Sequence, residues 1–518
     1  MVDQNSSFSH SAGPDGASQN LPTPAGLPET PAVEPGTAGA DGAVLSLTKG
    51  RNPGTPLGLP WPASAARGQD GAIRLGGVSV VDIAAAHGTP AYVMDESEFR
   101  TRARSFRSIV EHAMAGIGAE ARVYYAGKAL LTKAVATWAA SEGLGIDCST
   151  EGELAVALAA GIPGPKIGLH GNNKSDAEIA TALDHGIGHI IIDSLEEIER
   201  IAAAAEARGM KAPVMVRAVT GVHAGGHEYI STGHQDQKFG LSMERRAGSS
   251  TSPAMSALCQ AAEDERLNLL GIHSHIGSQI LGAEGFEESA HAVMGLRAGL
   301  LARTGYEVPE VNLGGGYGIA YLPGDEPLDL EAAAQSLATA IKFSCDAFKI
   351  SVPRIAFEPG RSIAGPAGLT LYTVGAIKDI VLPDASVEAD KATARATPPT
   401  RRYISIDGGM SDNLRPALYG ARYHAELANR VSNAPLQLSR IVGKHCESGD
   451  IVVQEIMLPS DVRRGDIIAT PATGAYGRSM ANNYNQMPRP PVVAVADGAS
   501  RVILRRETVA DLLALDEG

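Results

Sequence analysis

From residue 122 to residue 358 one pattern recurs eight times: a short β-branched, apolar run, a polar or Gly-rich turn, then an amphipathic stretch. The strand candidates are residues 122–126, 144–148, 166–170, 189–193, 213–218, 270–275, 310–313 and 354–358. Between them, stretches such as 195–208 and 286–301 carry the apolar period of a helix. This alternation imposes a parallel sheet with right-handed crossovers, because parallel neighbours cannot be joined by a tight turn. Eight units in about 240 residues predict an α/β fold, a closed (β/α)8 TIM-like barrel. An open doubly wound sheet is the alternative, but the Gly-rich fingerprint it needs after the first strand is missing.

The rhythm stops after residue 361. Residues 369–374, 402–407, 451–454, 466–469 and 492–496 read as strands with few helices between them. They predict a β-rich second domain, a sandwich or barrel, over 361–518, completed by strand material at 71–94. The barrel then occupies 95–360. Segment 383–399 is polar and contains Pro, and reads as an exposed loop. Residues 1–70 are dominated by Gly, Pro, Ala and Ser, with almost no apolar period. Such a segment buries too little surface to offset its ordering entropy, which predicts a disordered tail.

A formal net charge of −14 argues against a broad nucleic-acid or anionic-membrane surface, so an anionic ligand needs a local basic pocket. No apolar run approaches the roughly 20 residues of a membrane span. The first ten residues show no basic-then-apolar secretory signal. Cys148, Cys259, Cys345 and Cys446 are far apart, with no paired or zinc-like spacing. They read as reduced thiols of a cytoplasmic protein, and no metal is expected.

Barrels of this type gather their reactive groups at the C-terminal ends of the strands. Strand one ends in Tyr125-Ala126-Gly127-Lys128, strand two in Asp147-Cys148-Ser149, and strand three in His170-Gly171-Asn172-Asn173. Strand six ends in His273-Ser274-His275-Ile276-Gly277-Ser278, strand seven in Gly314-Gly315-Gly316, and strand eight in Glu358-Pro359-Gly360-Arg361. Each has an ordinary explanation alone: a solvated Lys, a hydrogen-bonded core His, a Gly turn, a surface ion pair. Their convergence on one rim is what carries weight. Triple Gly exposes backbone N–H groups next to a helix start, a site suited to phosphate. A Lys able to form a Schiff base, a carboxylate and a stacking imidazole complete the requirements of pyridoxal phosphate.

Further strings follow in order: His170 to Ser175, His227 to Gly233, Lys238-Phe239-Gly240, His275 to Gln279, and Asp407-Gly408-Gly409-Met410. Arg415-Pro416 with Tyr419, Cys446-Glu447-Ser448-Gly449-Asp450 and Gly474-Ala475-Tyr476 complete the set. From about residue 76 to 490 the chain resembles the diaminopimelate decarboxylases, of the barrel-type, alanine-racemase-like pyridoxal-phosphate decarboxylases. The resemblance implies that Lys128 holds the cofactor, His275 stacks on its pyridine face and Glu358 pairs with its ring nitrogen. Ser278, Gly315, Gly316, Pro359, Gly360 and Arg361 would surround the cofactor and its phosphate, with Tyr476 reaching over from the second domain. Arg361, Arg415, Tyr419 and Tyr476 would bind the distal carboxylate of meso-diaminopimelate, and Glu447 the distal ammonium. Cys446 would return a proton once carbon dioxide has left, yielding L-lysine. The family supplies the Cys446 segment from the partner subunit, implying an obligate homodimer, with Lys238 and Asp450 as a cross-interface ion pair.

The chain departs from the family between Thr220 and His227, where relatives more often have an early Pro and a Thr before the last His. Leu130 also replaces the more usual Asn or Phe. Decarboxylation of arginine, ornithine or carboxynorspermidine is the rival on the same scaffold. Arg415 argues against the first two, because a guanidinium placed for a carboxylate repels a cationic substrate end. A racemase has no use for Cys446-Glu447, and a non-catalytic relative has no need to keep Lys128, Cys446 and Glu358 together.

Overall fold

A computed structural model describes residues 53–222, 238–245, 248–382 and 400–518. The 383–399 segment, the His227 to Gly233 string and the tail as far as residue 52 lie outside them. Three short antiparallel strands open the described chain: β1 (Ala66–Arg67), β2 (Ile73–Leu75) and β3 (Val78–Ser79). The helix Val80–His87, β4 (Ala91–Asp95) and the helix Glu96–Ala115 follow.

The barrel strands are β5 (Ala121–Ala126), β6 (Gly145–Cys148), β7 (Ile167–Leu169), β8 (His189–Ile192) and β9 (Ala212–Val219). After the two-residue β10 (Leu241–Ser242), which pairs in parallel with the end of β9, come the barrel strands β11 (Leu267–His273), β12 (Glu310–Asn312) and β13 (Arg354–Phe357). Each pairs in parallel with the next, and β13 pairs back onto β5, closing the barrel. All eight expected strands are present, with ends moved by at most a few residues.

Short caps hold the strand-to-helix turns tight. Thr132, Thr150, Ser175 and Ser194 each accept the backbone N–H three residues on, satisfying a donor that the first helical turn leaves orphaned. With turns this short, the residues that end the strands stay at one rim. The core is the contact between barrel strands and their helices, with Ile146, Ile167 and Ile190 fully buried.

The remaining strands are β14 (Gly368–Val381), β15 (Thr400–Ile406), β16 (Glu426–Leu427), β17 (Leu436–Val442), β18 (Ile451–Pro459), β19 (Ile467–Pro471), β20 (Val492–Ala496) and β21 (Ala499–Leu504). The long β14 pairs antiparallel with β4, β15 and β19, and β4 also pairs in parallel with β20. β17 and β21 were not among the expected strands: each carries several polar, partly exposed side chains, which weakens the apolar signal, and β21 is also an edge strand.

The expected tail ends too late. Leu57, Trp61 and Ala65 are buried against Ile73, Val93, Leu371 and Val493, so residues 53–70 pack on the second domain. Three apolar anchors among Gly and Pro suffice here because the sheet face already exists for them to cover. No helix of the described residues is long and apolar enough to cross a membrane.

Candidate active site

Lys128 sits in a single 3-10 turn, Gly127–Ala129, at the end of β5. The second domain clasps this turn: the Tyr476 N–H (2.8 Å) and the Ser479 hydroxyl (3.0 Å) both donate to the Ala129 carbonyl. The turn that carries the amine is therefore held by both domains. Beside it lies a cavity of about 200 Å³, lined from the barrel by Lys128, His275, Ser278, Gly315, Gly316, Glu358, Gly360 and Arg361. Arg415, Tyr419 and Tyr476 line it from the second domain. Pro359 is not part of this lining, and its carbonyl accepts the Ala126 N–H at 3.0 Å.

The glycines are required by close approach. A Cβ on Gly315 would stand 2.2 Å from the Glu358 carbonyl oxygen, and one on Gly316, at φ +120°, would stand 2.6 Å from the Gly277 oxygen. The expected helix start next to the triple Gly is absent: the next helix is Leu330–Phe348. The cradle is built of backbone turns together with Arg361. The Gly315 N–H donates to His275 Nδ1 at 3.2 Å, leaving the ring proton on Nε2. Burial, then the charges of Lys128 and Arg217, hold His275 well below the usual imidazole range, so it is neutral.

Below the rim a second lobe of about 320 Å³ shares Lys128, His275 and Glu358, and adds Asp147, His170, Arg217 and His273. Glu358 accepts from Asn312 Nδ2 at 2.7 Å and lies 3.1 Å from His273 Nε2 and 3.3 Å from His170 Nε2. Burial would raise this carboxyl, but His273 and His170 pull it well below the carboxylate range. Burial, with His170 and Arg217, lowers His273 to about 4 against the opposing pull of Glu358. His170 is the exception: burial opposes its charge, yet Glu358 and Asp147 raise it to about 9. At neutral pH the cation facing Glu358 is thus His170.

The upper wall differs. Arg361 donates to Ser278 Oγ at 2.8 Å and to the Tyr321 hydroxyl, with its guanidinium 4.6 Å from the centre of the Tyr476 ring. Arg415 donates to the Tyr423 hydroxyl and lies 4.7 Å from the centre of the Tyr321 ring. Both are buried, and among the described residues neither has a carboxylate partner. Two guanidiniums held by hydroxyls and ring faces make a receptor for an anion.

The structure does not bring Cys446 and Glu447 to this cavity. Both are exposed, on a loop tied by the Cys446 N–H to Asn485 Oδ1 at 3.0 Å. Lys238 and Asp450, expected to pair across subunits, each have contacts within their own chain. Asp450 is buried and accepts from His445 Nδ1 at 2.8 Å and from the Met410 N–H at 2.6 Å, while Lys238 lies over the Phe239 ring. A short internal partner on its own loop leaves that carboxylate engaged.

Sequence reasoning noted Asp147, His170 and His273 as strand ends but gave them no role. It missed Arg217, Asn312, Tyr321 and Tyr423. Arg217 had a signal, a lone charge inside the apolar run Val214 to Val219, whereas the tyrosines had none.

The donor set fits pyridoxal phosphate. It offers a primary amine, a neutral imidazole at ring distance from the glycine turns, an ionised buried carboxylate and a glycine cradle that any side chain would fill. Residues 98–365 match the family described as the pyridoxal binding domain of pyridoxal-dependent decarboxylases. The diaminopimelate decarboxylase of Mycobacterium tuberculosis is 46% identical over 460 residues, covering 88% of this chain and 97% of that one. The Bacillus subtilis enzyme of the same name is 40% identical, covering 86% and 96%. Among solved structures, diaminopimelate decarboxylase from M. jannaschii in complex with L-lysine aligns with a TM-score of 0.77 at 33% identity, over 88% of this chain and 98% of that one. The Helicobacter pylori enzyme with L-lysine gives 0.72 at 30% identity, over 84% and 99%. Likeness of this extent, across the barrel and the second domain alike, means that the chain belongs to the diaminopimelate decarboxylases.

Proposed function

We propose that this site decarboxylates meso-2,6-diaminopimelate to L-lysine and carbon dioxide, and that the pair Arg361 and Arg415 selects the substrate. The observation that carries the substrate reading is that buried pair, which has no carboxylate partner among the described residues. A substrate with a second amino-acid head brings the missing carboxylate, whereas a distal amine alone would meet two like charges. Tyr419 and Tyr476 close the same wall.

Bound through Lys128, pyridoxal phosphate supplies an electron sink for the pair left when the bond from Cα to the carboxylate breaks. Glu358 would hold a proton at the pyridine nitrogen, and the neutral His275 ring would hold the cofactor ring. Ser278, Gly315, Gly316, Gly360 and Arg361 would hold the phosphate, with the Pro359 carbonyl fixing the turn that carries Gly360. Cys446 returns a proton to Cα and Glu447 holds the distal ammonium. Both come from the partner subunit of a homodimer, a reading supported by their place outside their own chain's cavity. A thiol that must stay reduced fits a cytoplasmic enzyme.

The test is carbon dioxide release by the purified protein with pyridoxal phosphate, comparing meso-diaminopimelate, ornithine and arginine. Release from diaminopimelate alone, with lysine as product, is expected. Release only from a diamine-type substrate would overturn the role of the two arginines. Subunit sharing is tested by mixing Lys128→Ala with Cys446→Ala protein. Activity should reappear in the mixture, and its failure to do so would return Cys446 to its own subunit's site.

A further inference from the structure

Two carboxylates, Asp147 and Glu358, are buried in one network at the barrel floor. His170 stands between them, its Nε2 3.6 Å from Asp147 Oδ1 and 3.3 Å from Glu358 Oε1. Its ring packs edge-on against His273 at 5.0 Å between centres. Two buried carboxylates this close cannot both be ionised without a cation. The groups facing His170 are Asp147 on β6, Glu358 after β13, His273 on β11, His189 on β8, and Glu153 on the helix after β6. Burial holds His189 down at about 3 and His273 at about 4, so neither supplies the charge, and the other cations of this lobe, Arg217 and Lys128, act on Glu358 and Asp147 without an ion pair to either among the described residues. Asp147 is raised by burial and by Glu358, to about 7. Neither Asp147 oxygen has a hydrogen-bond partner among the described residues, whereas Glu358 is held by Asn312 and His273.

The geometry points to His170 as a positioning residue: its imidazolium, set between the two floor carboxylates, keeps Glu358 ionised against the pyridine nitrogen. The cation lies in contact with the Glu358 carboxylate, so it lowers the basicity of that carboxylate more than that of a more distant ring nitrogen. A proton shared between carboxylate and pyridine nitrogen then rests on the nitrogen. A merely structural His170 would fill space and leave the proton where it is. The inference rests on the cofactor and is independent of which amino acid is decarboxylated.

The experiment is nitrogen-15 NMR of holoenzyme reconstituted with ring-labelled pyridoxal phosphate, on wild type, His170→Gln and Asp147→Asn. In wild type the ring nitrogen should resonate as protonated at pH 7.5. In His170→Gln it should move toward neutral pyridine, with kcat lowered about tenfold and KM little changed. An unmoved resonance in folded His170→Gln holoenzyme would show a structural role only and overturn the inference. Should that variant fail to fold, Asp147→Asn decides. Without its counter-charge His170 loses its proton at lower pH, so the resonance must move the same way at a lower pH than in wild type. A resonance that follows the wild-type pH course would overturn the inference.

Discussion

The floor and the upper wall of the cavity both bury charged side chains and use them in opposite ways. On the floor, Glu358 and Asp147 are set against His170, with Asn312 and His273 filling the remaining hydrogen bonds of Glu358. On the wall, Arg361 and Arg415 meet hydroxyls and ring faces but no carboxylate among the described residues. A buried charge without an opposite partner is costly, so it is kept where a ligand supplies the partner. The difference separates an end of the cavity whose charges are settled by the protein from an end whose charges await an anion, which on the proposed reading is supplied by what binds.

That contrast can be broken at three points. Lys128→Ala should have the largest effect, removing the visible absorbance of bound cofactor and activity together. An unchanged spectrum in that variant would sink the assignment of the floor to the cofactor. Arg415→Ala should leave the spectrum intact and raise KM for diaminopimelate by roughly 10- to 100-fold, the worth of one or two charge-assisted hydrogen bonds. Equal losses across ornithine and diaminopimelate would remove Arg415 from the specificity of the wall.

The smallest effect is on stability. The His170 pKa is raised on folding from 6.5 to about 9, so the stability it contributes is complete below about 6.5 and is lost as pH rises through 9. Asp147, raised to about 7, is mostly ionised at the start of that window and adds only a small loss of the same sign there. Unfolding free energies from urea titrations should therefore fall between pH 7.5 and 9.5, by at most about 1.4 kcal/mol per pH unit, and fall less in His170→Gln. Equal slopes in both proteins would mean that the floor holds no cation.

Most of the barrel was legible because each β/α unit repeats a local rule: a β-branched run, a capping Ser or Thr, an amphipathic helix. The rim residues were legible as oddities at strand ends, and the resemblance assigned Lys128, His275, Ser278 and Glu358 to positions that do line one cavity. The second domain was read less completely. β17 and β21 carry several polar, partly exposed side chains, and the anchors Leu57, Trp61 and Ala65 sit in a Gly- and Pro-rich stretch that resembles a linker.

The sequence by itself determined the order of strands and helices, the end of the barrel at which polar residues gather, and the residue types at that end. These are set by local periodicity and capping, which the chain carries wherever it is read. Only the tertiary structure decided the pairings of charge. Asp147, His170, His273 and Glu358 end four different strands that closure of the barrel brings within a few ångströms. Arg361 and Arg415 share one wall because the second domain folds back onto the Lys128 turn. It also showed that Asp450 is bound to His445 within its own loop, and that Cys446 is exposed and outside the lining of its own chain's cavity. Electrostatic pairing depends on distance and burial in three dimensions, and neither is a property of position along the chain.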